Sequence, residues 1–130
     1  MNDRGIVMSE KDEMTVCELP SLADATAEEL AKAIAEALDA KKGFNIRVIP
    51  VADKTVIAEY FVICSGNTST HIKALVDEAE YRTGLRDVLP YHVEGKDNNS
   101  WIVMDYSHVI VHVFTKEARE FYNLEKLYEN

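Results

Sequence analysis

Tyr60-Phe61-Val62-Ile63-Cys64 is an unbroken apolar run, halted by Ser65-Gly66-Asn67. It is short for a helix and has no polar side, so it reads as a strand buried on both faces. Such a strand lies inside a sheet and needs cover above and below. With 130 residues, the chain has room for one domain to provide that cover.

The segments on either side supply the layers. Thr26 and Glu29 form a T-x-x-E capping box, and Leu30, Ile34, Ala37 and Leu38 recur at helical spacing behind it. Lys41 and Lys42 suit a helix C-terminus, and Gly43 is expected to take the left-handed position after it. Phe44 to Val51 alternates apolar and polar residues as a half-buried strand, with Pro50 at its end or on an edge. Thr68 or Ser69 caps a second helix carrying Ile72, Leu75, Val76 and Ala79, which Gly84 ends. Val88 to Glu94 contains Pro90, so it is an edge strand or begins after the proline. After a polar turn, Trp101 to Tyr106 and Val109 to Thr115 form two strands joined by a tight hairpin at Ser107-His108. Thr115 caps a last helix with Ala118, Phe121, Leu124 and Tyr128 along one side. The order α-β-β-α-β-β-β-α predicts an α/β fold: a single domain with a mixed sheet of about five strands covered by helices.

Charge narrows the partners. The formal net charge is -9, and residues 1–30 hold eight acidic against two basic residues. Residues 1–23 show no sustained periodicity and are expected to form a flexible acidic tail, ahead of a domain over residues 24–130. Direct nucleic-acid binding needs clustered Lys and Arg, so it is not expected; the charge suits a basic protein partner, or serves only to keep the chain soluble. No apolar window is long enough for a membrane span, and the N-terminus lacks the pattern of a secretory or transit signal. The cytoplasm is the expected location. Cys17 and Cys64 have no metal-ligand spacing, and Cys64 reads as a buried, inert thiol.

A search for chemistry finds little. The loop from Cys64 to Ser69 joins a strand to a helix N-terminus, where amides can hold an anion. It lacks the glycine spacing of a dinucleotide loop and the Gly-Lys-Ser/Thr of a P-loop, so a capped turn is the simpler reading. A small nucleotide-binding enzyme or transferase using the Gly66 loop remains the alternative. Metal-dependent transfer needs two converging carboxylates, and the strands offer Asp105 alone. His108 and His112, four apart on a strand, stand about 13 Å from each other. His112, between Val111 and Val113, reads as a core histidine with a hydrogen-bond partner. No catalytic residue, cofactor or metal is expected, and the chain is not expected to be an enzyme.

Trp101, Val103 and Asp105 share one strand face; Ile102, Met104 and Tyr106 share the other. An Asp beside Trp and Val suits a face partly open to a partner, where Trp and Tyr are favoured anchors. Alternatively, Trp101 plugs the end of the core. A homodimer is also conceivable, with the strand from Trp101 to Tyr106 self-pairing.

Tyr60-Phe61-Val62-Ile63-Cys64-Ser65-Gly66-Asn67-Thr68 resembles a segment of the ribosomal silencing factors, the Iojap-like family. Four further stretches match in order and spacing: His92 to Glu94 with Gly95, Trp101 to Tyr106, Val109 to Phe114, and Arg119 to Tyr128. Together they span roughly residues 26–128. The resemblance implies a nucleotidyltransferase-like fold without the catalytic carboxylates. It implies binding to the large ribosomal subunit through ribosomal protein fourteen, on the face that meets the small subunit, so that joining is blocked and translation repressed. The contact surface it implies here includes Trp101, Asp105 and Tyr106, with Glu94 and His108 as weaker members. The family often has Asp-Tyr-Gly-Asp at the hairpin, where this chain has Asp105-Tyr106-Ser107-His108. Ser in place of Gly suggests a turn that does not need positive φ.

Overall fold

A computed structural model describes residues 19–128. The elements in chain order are α1 (Ala27–Ala40), β1 (Phe44–Pro50), β2 (Tyr60–Gly66), α2 (Ser69–Gly84), β3 (His92–Glu94), β4 (Trp101–Asp105), β5 (Val109–Thr115), α3 (Lys116–Tyr122) and α4 (Leu124–Tyr128). The strands make one mixed sheet in the order β1-β2-β5-β4-β3. Only the β2–β5 pair is parallel; the others are antiparallel. The apolar run of β2 therefore sits between two neighbours, and all of it from Phe61 onward is buried.

Helices α1 and α2 lie on one face of the sheet. Ile34 and Leu38 from α1, and Ile72, Leu75 and Val76 from α2, pack with Val62 and Cys64 of β2 and Val111 and Val113 of β5. A smaller cluster forms on the opposite face, where Ile49, Phe61, Ile63, Phe114 and Ala118 meet, with Leu124 and Tyr128 against them. Short α3 and α4 cover only part of this second face.

Local chemistry fixes the element ends. The capping box of α1 is complete: Thr26 Oγ1 accepts from the Glu29 amide at 3.1 Å, and Glu29 Oε1 accepts from the Thr26 amide at 2.9 Å. Thr68 caps α2 and Thr115 caps α3. The end of α1 differs from expectation. Lys42, not Gly43, takes the left-handed position, with φ 72°. The Lys42 amide bonds Asp39 O at 3.0 Å and the Gly43 amide bonds Leu38 O at 2.9 Å, which is the Schellman pairing with Lys42 at its pivot. Gly43 is needed for a different reason: a Cβ there would stand 2.5 Å from Cys64 Sγ. Cys64 itself is buried, and loss of hydration pushes its thiol up to about 12.

Pro50 ends β1 on a sheet edge, and β3 is an edge strand that begins after Pro90. The expected single last helix is in fact two. Asn123 adopts the left-handed conformation, with φ 48°, and breaks the chain between α3 and α4. Phe121 does not line the inner side; it is 80% exposed. β4 is an interior strand, paired on both sides. From Val103 to Asp105 this double pairing leaves no free strand edge for the self-pairing of a homodimer. Most of the expected acidic tail, residues 1–18, lies outside the described residues. Its last part is held: Leu22 is buried, its amide bonds Arg86 O at 2.7 Å, and Arg86 Nε donates to Pro20 O at 2.9 Å.

Candidate docking face

Strand register decides which side chains share the second face of the sheet. Across β4 and β5, Trp101 stands beside Phe114, Val103 beside His112, and Asp105 beside Ile110. Across β3 and β4, His92 stands beside Asp105 and Glu94 beside Val103. Paired residues point the same way. The β2 side of this surface is closed by the Phe61, Ile63 and Phe114 cluster. The β3–β4 side is open: Trp101, Val103, Asp105 and Ile110 are half-buried, and His92 and Glu94 are exposed. The result is an apolar strip with carboxylates along its rim.

Trp101 is the anchor of this strip, and three rings hold it. Its ring centroid lies 4.9 Å from Phe114, 4.6 Å from Tyr122 and 5.9 Å from His112. The indole Nε1–H donates to His112 Nδ1 at 3.2 Å. Phe121 packs edge-on against Tyr122 at 5.0 Å and carries the aromatic surface out to solvent. Trp101 packs against the second core, as the reading of it as a core plug expects, and the residue stays half-buried.

His112 has the partner expected of a core histidine, on one nitrogen. With Nδ1 accepting, the proton sits on Nε2, and Nε2 has no hydrogen-bond partner among the described residues. Burial lowers its pKa from 6.5 to about 4, so the ring is neutral.

The other expected site residues separate. Asp105 lies on the open face, but its Oδ1 accepts the Ser107 amide at 2.7 Å and so also builds the hairpin. Ser107 has φ 78°, contrary to a turn without positive φ. The Asp105 bond helps hold a left-handed residue that glycine would adopt more easily. Glu94 is exposed and pairs with His92 at 2.7 Å, while His108 pairs with Glu59 at 3.2 Å near the hairpin. Tyr106 is corrected. It is 4% exposed, on the helix-covered face, and its hydroxyl shares a 2.9 Å hydrogen bond with Thr83. Burial pushes its phenol up to about 12. A side chain so placed offers a partner no surface.

Sequence reading missed Tyr122 as part of this surface and placed Phe121 on the buried stripe of a single last helix. It also missed Arg119. This buried guanidinium donates from Nη1 to Ser65 Oγ at 2.9 Å, and from Nε and Nη2 to Glu125 Oε2 at 3.1 and 2.7 Å. Burial alone would raise the Glu125 pKa; the Arg119 hydrogen bonds and charge outweigh it and hold the carboxyl below its usual range. The pair ties α4 to α3 and to the end of β2.

The Gly66 loop is built differently from a nucleotide cradle. The Asn67 amide donates to His71 Nδ1 at 2.9 Å, and the His71 amide to Thr68 Oγ1 at 3.0 Å. His71 Nε2 then donates to Lys41 O at 3.0 Å. These donors serve the chain's own caps rather than an anion. Among the described residues, no group of three or more His, Cys, Asp and Glu is placed to hold a metal ion. No helix there is long and apolar enough to cross a membrane.

Fold and face together define a small α/β protein that presents an aromatic, carboxylate-rimmed sheet surface. Residues 24–130 match the family model described as "Ribosomal silencing factor during starvation", and the chain belongs to that family. It is 33% identical over 99 residues to ribosomal silencing factor RsfS of Bacillus subtilis, covering 76% of this chain and 84% of the relative. It is 36% identical over 90 residues to the mouse protein named mitochondrial assembly of ribosomal large subunit protein 1, covering 65% of this chain and 38% of that one. A crystal structure of a Chromobacterium violaceum protein superposes with a TM-score of 0.76 at 25% identity, over 79% of this chain and 86% of the other.

Proposed function

We propose that this protein binds the large ribosomal subunit through ribosomal protein fourteen, using the open β3–β4–β5 face, and sterically blocks the small subunit from joining. The observation that carries the reading is the half-buried Trp101 on an apolar strip rimmed by Asp105 and Glu94. A rigid aromatic anchor loses little rotamer entropy on binding, and the carboxylates complement a basic ribosomal protein. Family membership and the mouse relative's name, which refers to the large subunit, support the ribosome as the target. Tyr122 and Phe121 extend the contact, and His108 with Glu59 forms its outer rim. The protein acts in the cytoplasm, where its ribosomes are.

The test is sedimentation with isolated large subunits. The wild-type protein pellets with them and lowers the yield of joined ribosomes. Trp101→Ala weakens binding by about 2 kcal/mol, the scale of a hot-spot residue, with far-UV circular dichroism unchanged. Wild-type affinity in a folded Trp101→Ala protein removes this face from the interface.

A further inference from the structure

We propose that His112 is a positioning residue for docking: its Nδ1 fixes the Trp101 indole in the orientation that the partner meets. This rests on the docking reading of the face given above. The indole has one donor, Nε1–H, and His112 Nδ1 receives it at 3.2 Å. The His112 ring is itself immobilised. Phe61 meets it edge-on at 4.8 Å and Phe114 lies nearly parallel to it at 6.2 Å, with an interplanar angle of 13°.

Packing alone does not explain a histidine at this position. Its neighbours across the sheet are Ile63 and Val103, and it is only 8% exposed. An apolar ring would fill the same space without leaving a buried donor. The tautomer that serves Trp101 strands Nε2–H with no acceptor among the described residues, and an unsatisfied buried donor lowers stability. Stability is given up at Nε2, and what is gained is the acceptor at Nδ1. That acceptor acts on the one side chain that anchors the open face.

The experiment compares His112→Phe and Trp101→Phe, singly and together, in sedimentation with large subunits, and adds acrylamide quenching of Trp101 fluorescence. Trp101 is the sole tryptophan, so quenching reports the indole directly and needs no ribosome. His112→Phe is expected to raise the quenching constant and weaken subunit binding about fivefold, the net worth of one hydrogen bond. It should keep or raise the thermal midpoint. In the Trp101→Phe background, His112→Phe should add nothing, because the donor is already gone. His112→Asn, whose amide oxygen sits near the Nδ1 position, should keep quenching close to wild type and stands in if His112→Phe does not fold. Unchanged quenching in His112→Phe, unchanged affinity, or losses that simply add in the double variant would overturn the proposal. If even the wild type fails to bind large subunits, the docking reading falls. The quenching comparison then decides positioning by itself, a rise supporting it and no change refuting it.

Discussion

Acid should destabilise this protein through His112 in a defined window. The ring is neutral in the folded state because burial lowers its pKa to about 4, whereas the unfolded chain titrates near 6.5. Above pH 6.5 neither state binds the proton and His112 imposes no penalty. Between 6.5 and about 4 the unfolded chain takes a proton that the folded ring refuses, so stability falls as pH falls. At about 1.4 kcal/mol per pH unit, the full interval amounts to about 3 kcal/mol. Below about pH 4 both states are protonated and the loss levels off. The assay is urea denaturation of wild type and His112→Phe at a series of pH values from 7 to 4. Carboxylate titration affects both proteins, so the difference between them isolates the histidine. The wild type should lose about 3 kcal/mol relative to the variant across this range. Parallel stability curves would show that the folded ring takes up a proton as readily as the unfolded chain, and would refute the effect of its burial.

Two further outcomes are expected. Ser107→Gly should raise stability by about 0.5–1 kcal/mol in thermal denaturation, since it relieves a left-handed residue while the backbone amide still reaches Asp105. Tyr106→Phe should cost about 1 kcal/mol by removing the Thr83 hydrogen bond, and leave binding to large subunits unchanged, because the side chain faces the helices.

The strands and the first two helices were legible because their signals are local. β2 announces itself by an apolar run, α1 by its capping box, and the late position of β3 by Pro90. The site was legible in part. Strand alternation separates Tyr106 from Trp101 and Asp105, and the structure follows the alternation. The resemblance to the family groups all three, since a shared motif carries no side-chain direction. The rest depends on distant partners. Nothing near Arg119 in sequence announces Ser65, 54 residues away, and nothing near His112 announces that its Nδ1 serves Trp101. At Asn123 and Lys42, residues other than glycine take left-handed conformations, so a search for glycine at helix ends misplaced one boundary and joined two helices into one.

If the open face around Trp101 engages the large subunit and excludes the small one, both effects must depend on that side chain. The most direct measurement sediments the purified protein with large subunits, alone and with small subunits added, across a salt series. Co-sedimentation with large subunits and a falling yield of joined ribosomes, both lost in Trp101→Ala, is the predicted result. A protein that stays in the supernatant at every salt concentration, or that pellets without changing subunit joining, would contradict it.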